Sequence, residues 1–352
     1  MAGLSSEIVN CVKTAFRAKT PLNITAAGTK SFLGQRAENS QPLDVTGHRG
    51  IIEYDPAELV LVARAGTPLR EIEKVLSDHH QMLGFEPPFT NSGATLGGAV
   101  AAGLAGPRRA YSGAVRDFIL GAGFVNGKGE VITTGGKVMK NVAGFDLFRP
   151  MAGAMGTLGV LLKVALRVLP KPEIEQTLIL EEDDEISALK KMNTWAAKTQ
   201  AISAAAFDGR NIRIRLSGSS ASIEHGAALI GGEKLANGNY WQDLNNFKLD
   251  FFQQQGRLWR ISVAPMSGPI GKNLDFLIDW GGAQRWLKSD ETPATIRGWA
   301  TRLGGHAACF SQDHEVNTYQ PLERGVLELH QRFKAAFDPA GILNPGRMYP
   351  GL

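Results

Sequence analysis

The residues best placed to do chemistry in this chain are small ones. Between Pro87 and Asp117 the sequence reads PPFTNSGATLGGAVAAGLAGPRRAYSGAVRD, with Gly93, Gly97, Gly98, Gly103, Gly106 and Gly113 set among Ala and Ser. Such a segment packs a core poorly. It lets a backbone approach a ligand closely, because glycine has no Cβ and tolerates unusual dihedrals. Successive N–H groups in turns of this kind form concave nests for anions, phosphate oxygens above all. A second small-residue turn, Ala26-Ala27-Gly28-Thr29-Lys30-Ser31-Phe32, follows the short run Pro21-Leu22-Asn23-Ile24-Thr25, with Lys30 as a counter-charge. Neither has the spacing G-x-G-x-x-G or G-x-x-x-x-G-K-[ST], so a Rossmann or P-loop site is not indicated. An ordinary turn between elements would have the same composition at either place.

Groups for acid–base or metal chemistry are sparse. His306 and His314 stand eight apart with no Glu-His motif near them, and His79-His80 follow a helix on a solvated face. No metal site is expected. Arginine meets tryptophan at Trp259-Arg260 and Arg285-Trp286, with Trp280-Gly281-Gly282 nearby. Arg260 and Arg285 are therefore candidates to hold a substrate carboxylate. The competing reading makes the Trp residues core and the Arg residues surface-paired. Lys140-Asn141 reads as structural or ligand-adjacent. Cys11 and Cys309, far apart and without C-x-x-C, exclude a disulfide framework and an iron–sulfur cluster held by this chain alone. Free thiols suit a reducing cytosol.

The elements that must position these residues are those of a two-domain globular protein. The chain has 352 residues, 43% of them hydrophobic, with a formal charge of +4. No long basic run marks a nucleic-acid partner. The N-terminus carries Glu7 and no long apolar run, so a signal peptide is not expected, and no stretch of about 18 apolar residues suggests a membrane span. Ser5-Ser6 would cap a first helix. Leu59 to Ala63 reads as a buried strand, followed by a helix with Thr67 at N-cap and Pro68 at N1. Asn126-Gly127 joins two strands as a hairpin. Val160, Leu162, Val164 and Leu166 alternate with Lys163 and Arg167, a half-buried strand that Pro170 and Pro172 end. Beyond it, helices at 184–198 and 219–230, a polar loop to about 256, and strands at 202–207, 212–216, 258–263, 274–278, 283–287 and 306–310 suggest an α+β sheet with helices on one face. A helix at 322–337 precedes a turn-rich tail.

Three separated segments agree: the nest at 26–32, the ATLGG stretch with Ser112, Gly113 and Asp117, and Gly156-Thr157-Leu158-Gly159-Val160. With Asp338-Pro339 and Asn344-Pro345-Gly346 they resemble the flavoprotein superfamily typified by vanillyl-alcohol oxidase and p-cresol methylhydroxylase. More closely, TPLNITAAGTKSFLG, YDPAELVLVARAGTPL, GLAGPRRAYSGAVRDFILG, LIDWGGAQRWLKS and FDPAGILNPGRMY resemble the FAD-binding subunits of glycolate oxidase. The resemblance covers nearly the whole chain. It implies a two-part FAD-binding domain over 1–170 (a small part about 1–47, a larger one 48–170), an α+β cap domain over 171–320, and a tail, 321–352, returning to the FAD domain.

Carried over by motif, Ala26, Ala27, Gly28, Thr29, Lys30 and Ser31 would receive the pyrophosphate. Thr95, Gly97, Gly98, Ser112 and Gly113 would lie along the dinucleotide, with Pro88 and Asp117 among the cofactor contacts. Gly156, Gly159 and Val160 would line the isoalloxazine or adenine side, and Asn344 would approach the flavin from the tail. Flavin-linking relatives use a His in the first turn or a Cys near the second. Thr29-Lys30 and 107–111 contain neither, so the FAD is expected to be non-covalent. Related 2-hydroxy-acid dehydrogenases also carry histidine motifs that this chain lacks. The resemblance thus implies an FAD subunit with an electron-transfer or supporting role in oxidising glycolate to glyoxylate, alongside a second FAD subunit and an iron–sulfur subunit. It would be cytoplasmic, touching a membrane only through those partners. A self-sufficient dehydrogenase of a small 2-hydroxy acid such as D-lactate, and a scaffold without flavin, are the alternatives.

Overall fold

The computed structural model describes residues 2–35, 39–136, 146–236, 238–271, 274–311 and 316–352. Lys140-Asn141 and His314, singled out above, fall outside them. Two compact units form, each from separated stretches. Met1–Leu104, Ala114–Pro170 and Pro321–Leu352 make the first, Ala105–Gly113 and Lys171–Gln320 the second.

In the first unit, helix Ala2–Ala18 already includes Ser5 and Ser6, which are therefore not its cap. Its buried face, Ile8, Val12 and Ala15, shares a core with Leu22, Leu43, Ile342 and Leu343. Strand Leu22–Thr25 pairs in parallel with Gln41–Asp44. On the same strand Leu22 N–H donates to Ile342 O (2.7 Å), and Asn344 N–H donates to Leu22 O (3.0 Å). The C-terminal tail thus extends the pair. A five-stranded antiparallel sheet follows the order Ile51–Asp55, Val60–Arg64, Val160–Arg167, Ile119–Val125, Val131–Gly135. Its central strand, Val160–Arg167, is flanked on both sides, and Lys163 is its one exposed residue. The half-buried reading therefore fails at the centre of the sheet, where both faces are covered. Helix Leu69–Asp78 follows Pro68 without a side-chain cap, because the Thr67 hydroxyl accepts from Gly50 N–H instead (2.9 Å). Asn126 closes its hairpin through a longer loop, accepting from the N–H groups of Lys128 (3.0 Å) and Glu130 (2.9 Å).

The second unit is built on an eight-stranded antiparallel sheet. Its order is Glu233–Lys234, Ile174–Glu181, Asn211–Gly218, Ile202–Phe207, Phe276–Asp279, Gln284–Ser289, Arg257–Ser262, His306–Cys309. Ile212, Ile214, Leu216, Trp259 and Ile261 pack in one core with helices Glu185–Lys198, Ser220–Ile230 and Pro293–Arg302. Strand alternation sends Arg213, Arg215, Arg260 and Trp286 to the opposite face. Two short helices, Tyr240–Asn245 and Asp250–Gln253, pack there, inside the stretch the sequence reads as a polar loop. Aromatic anchors hold them: Arg213 stacks on Tyr240 (4.5 Å), and Phe247 and Phe252 meet Trp286 edge-on (5.1 and 5.7 Å). Among the described residues no helix is long and apolar enough to cross a membrane.

Candidate functional site

The turn at 26–31, the start of helix Leu96–Ala102, the segment 151–161 and the tail at Asn344 and Arg347 converge on one cleft in the first unit. Its empty space, open side included, is about 1040 Å³. Thirteen of the sequence candidates line it: the six residues Ala26 to Ser31, then Thr95, Gly97, Gly98, Gly156, Gly159, Val160 and Asn344.

The turn after strand Leu22–Thr25 is held by Ser31 N–H donating to Gly28 O (3.0 Å), with Gly28 left-handed at φ +71°. The N–H groups of Ala26, Ala27, Gly28, Thr29 and Lys30 meet no acceptor among the described residues. Buried Lys30 places Nζ 3.2 Å from Thr29 Oγ1 and 5.4 Å over the Phe89 ring, with no carboxylate partner among the described residues. Burial pushes its amine down to about 8. Five free donors beside an unanswered cation form a receptor for an anion.

The ATLGG stretch works differently. Leu96 N–H donates to Thr67 O (2.9 Å), Gly97 N–H to Ala65 O (2.7 Å) and Gly98 N–H to the Thr95 hydroxyl (3.2 Å). Its donors are spent on the protein. A Cβ on Gly97 would stand 2.7 Å from Ala65 Cβ, so glycine here lets the helix press against strand Val60–Arg64. What this stretch gives the cleft is a wall free of bulky side chains.

Asn344 closes the cleft from the tail. Its Oδ1 accepts from Ile24 N–H (2.7 Å) and its Nδ2 donates to Met155 O (2.7 Å). Behind it, buried Lys334 donates to Thr157 O (2.8 Å), Leu343 O (2.6 Å) and Asp338 Oδ2 (2.7 Å). Asp338 in turn accepts from the N–H groups of Ile342 (3.1 Å) and Leu343 (2.7 Å).

Four cofactor candidates lie outside the lining. Pro88 is buried elsewhere in the first unit. Ser112 and Gly113 belong to the second unit, where the Ser112 hydroxyl donates to Arg108 O (3.1 Å). The Asp117 carboxylate caps a helical turn by accepting from Ala114 N–H (2.8 Å). Arg285, a carboxylate candidate, is fully buried and committed. It bonds Glu185 (2.7 Å), Gly268 O (3.0 Å), Ser267 O and Gly282 O (3.3 Å), which leaves it a structural clamp. Conversely, Ala101, Ala102, Met151, Ala154, Met155 and Arg347 line the cleft without having been singled out. Arg347 follows the Asn344-Pro345-Gly346 turn directly, and that adjacency was the available signal. Among the described residues no group of three His, Cys, Asp or Glu could hold a metal.

A dinucleotide with a diphosphate and a flat ring system suits this cleft, which offers free N–H donors, a buried cation and walls of Gly and Ala. Residues 3–135 match the FAD binding domain family, and residues 313–348 match the C-terminal domain of FAD linked oxidases. The fold is shared with p-cresol methylhydroxylase with substrate bound, at TM-score 0.69 and 15% identity over 99% of this chain and 87% of that one. The chain thus combines an FAD binding domain with the fold seen in p-cresol methylhydroxylase. The chain is also 44% identical over 351 residues to the glycolate oxidase subunit GlcE of Escherichia coli (strain K12), covering 99% of this chain and 98% of that protein. It belongs to the family of that subunit. Glycolate oxidase subunit GlcD of Bacillus subtilis (strain 168) is 32% identical over 151 residues, 42% of this chain and 32% of that protein.

Proposed function

We propose that this chain is the FAD-holding subunit of a glycolate oxidase complex, with its FAD bound non-covalently in the cleft of the first unit. The run of free N–H groups from Ala26 to Lys30, beside the uncompensated Lys30 ammonium, carries the reading. These groups would hold the diphosphate, with Arg347 as a second cation on the wall. Gly97, Gly156 and Gly159 let the cleft wall pack closely against Ala65, Asn344 and Phe124. No His stands in the turn 26–32 and no Cys in 107–111, so neither supplies a flavin linkage. Oxidising glycolate to glyoxylate removes two electrons and two protons, and bound FAD supplies a two-electron acceptor. A second FAD subunit and an iron–sulfur subunit would share this task, in the cytoplasm or at the membrane through those partners. The flavin of this chain then serves electron transfer or support.

The test begins with the purified full chain and its visible spectrum. A flavin band that acid precipitation releases into solution supports non-covalent FAD. Addition of glycolate without oxygen is expected to leave the band in place. Bleaching would instead make this chain a catalyst by itself, and a chain that stays colourless after FAD is added overturns the reading.

A further inference from the structure

Four arginines of the second unit are answered by carboxylates. Arg108 and Arg215 meet Glu175, Arg213 meets Asp208, and Arg285 meets Glu185. Arg260 meets no carboxylate among the described residues, and its guanidinium donates to none of them; its Nε is buried without a partner. The residue lies mid-strand in Arg257–Ser262, opposite Trp286 on one neighbour and Ala308 on the other. Its guanidinium sits 4.8 Å from the Phe310 ring centroid. Arg109, stacked on Trp280 at 4.3 Å, brings a second positive charge whose field reaches Arg260. Burial pushes Arg260 down to about 10; Tyr319 counters this and Arg109 adds to it. Burial and the Arg260 charge likewise hold His306 below the usual imidazole range.

An aromatic ring beneath a guanidinium offsets part of its desolvation. It does not replace a counter-ion, and an uncompensated buried charge is expensive for a fold. Arg260 is half-buried in the middle of a strand with its Nε buried, and none of its guanidinium nitrogens bonds a described residue, which leaves its fork open to an anion.

We propose that Arg260 forms an oxoanion site in the second unit that takes a small carboxylate against the Phe310 ring, with Arg109 adding positive field. A carboxylate is favoured over phosphate because it is planar and matches the guanidinium fork bidentately. The apolar ring beside the fork also suits a short carbon skeleton. This deepens the glycolate reading and rests on it only for the choice of glycolate as first probe.

The full chain is titrated calorimetrically with glycolate, acetate and inorganic phosphate, and flavin absorbance is read on the same samples. Glycolate and acetate are expected to bind, and Arg260→Met to weaken both at least tenfold. Arg260→Lys, a point charge without the fork, should fall between. Arg302→Gln, at an exposed helix end, should match the wild type. Arg260→Met should also raise the Tm of the unliganded chain, because it removes a half-buried charge that no described carboxylate answers; an arginine with a structural role would lower it. Glycolate affinity within twofold of wild type in Arg260→Met, preference for phosphate, no carboxylate binding at all, or a lowered Tm overturns the proposal. The flavin band is expected to persist in Arg260→Met. Its absence from the wild-type chain would overturn the FAD reading instead, and the carboxylate titration is judged separately.

Discussion

Lys30→Met isolates the anion-binding turn from the rest of the cleft. The Lys30 ammonium is buried, unpaired with any carboxylate among the described residues, and held at about 8 rather than 10.5. That depression corresponds to about 3 kcal/mol of penalty for the buried charge. Below pH 8 the penalty is fully present. Between about 8 and 10.5 the unfolded chain binds more protons than the folded one, so stability of the FAD-free protein rises with pH across that window. A diphosphate beside Lys30 reverses the balance. A charge-assisted bond is worth about 1.5–3 kcal/mol, so at pH 7 Lys30→Met should bind FAD roughly 10- to 150-fold more weakly. Above pH 8 the wild type must take up a proton to bind, and its affinity should fall by up to about tenfold per pH unit. The variant lacks this dependence, so the two affinities converge. Quenching of FAD fluorescence on the flavin-stripped protein at pH 7 and 9 measures both effects, and thermal melts confirm that the variant folds. Affinities within threefold of each other at pH 7, or a wild-type affinity flat from pH 7 to 9, would refute the assignment of Lys30 to the diphosphate.

Three further outcomes follow from the packing. Lys334→Met leaves Asp338 buried without its cation and should cost about 3–5 kcal/mol, read as a lower denaturation midpoint accompanied by weaker FAD retention, since Leu343, next to Asn344, loses its bond to the Lys334 ammonium. Gly97→Ala drives a Cβ to 2.7 Å from Ala65 Cβ; urea unfolding should show a loss of about 1–3 kcal/mol from overpacking, and no loss would mean the helix can shift freely. Arg285→Met strands the Glu185 carboxylate and should destabilise the chain by about 3–5 kcal/mol while glycolate binding, measured well below the melting temperature, stays unchanged.

The local chemistry of the cleft was legible in the sequence because it depends on residue size and order. A turn of Ala, Gly and Thr followed by Lys30 has few bulky atoms wherever it falls, and strand Leu22–Thr25 before it reads from its neighbours alone. Tertiary structure decided how each donor is used. In the ATLGG stretch, Thr67 O, Ala65 O and the Thr95 hydroxyl take the N–H groups that composition alone offered to a ligand. Ser112 and Gly113 sit in the same glycine-rich run as Gly97 and Gly98, yet long-range contacts place them in the other unit. Arg260 and Arg285 look alike in sequence, each beside a tryptophan. Glu185, a hundred residues away, answers one of them, while no described carboxylate reaches the other. Spacing along the chain fixes which residues share a face of a helix or strand. Which buried charge finds a partner depends on elements that meet only when the chain folds, and that pairing separates a structural arginine from one left open to a ligand.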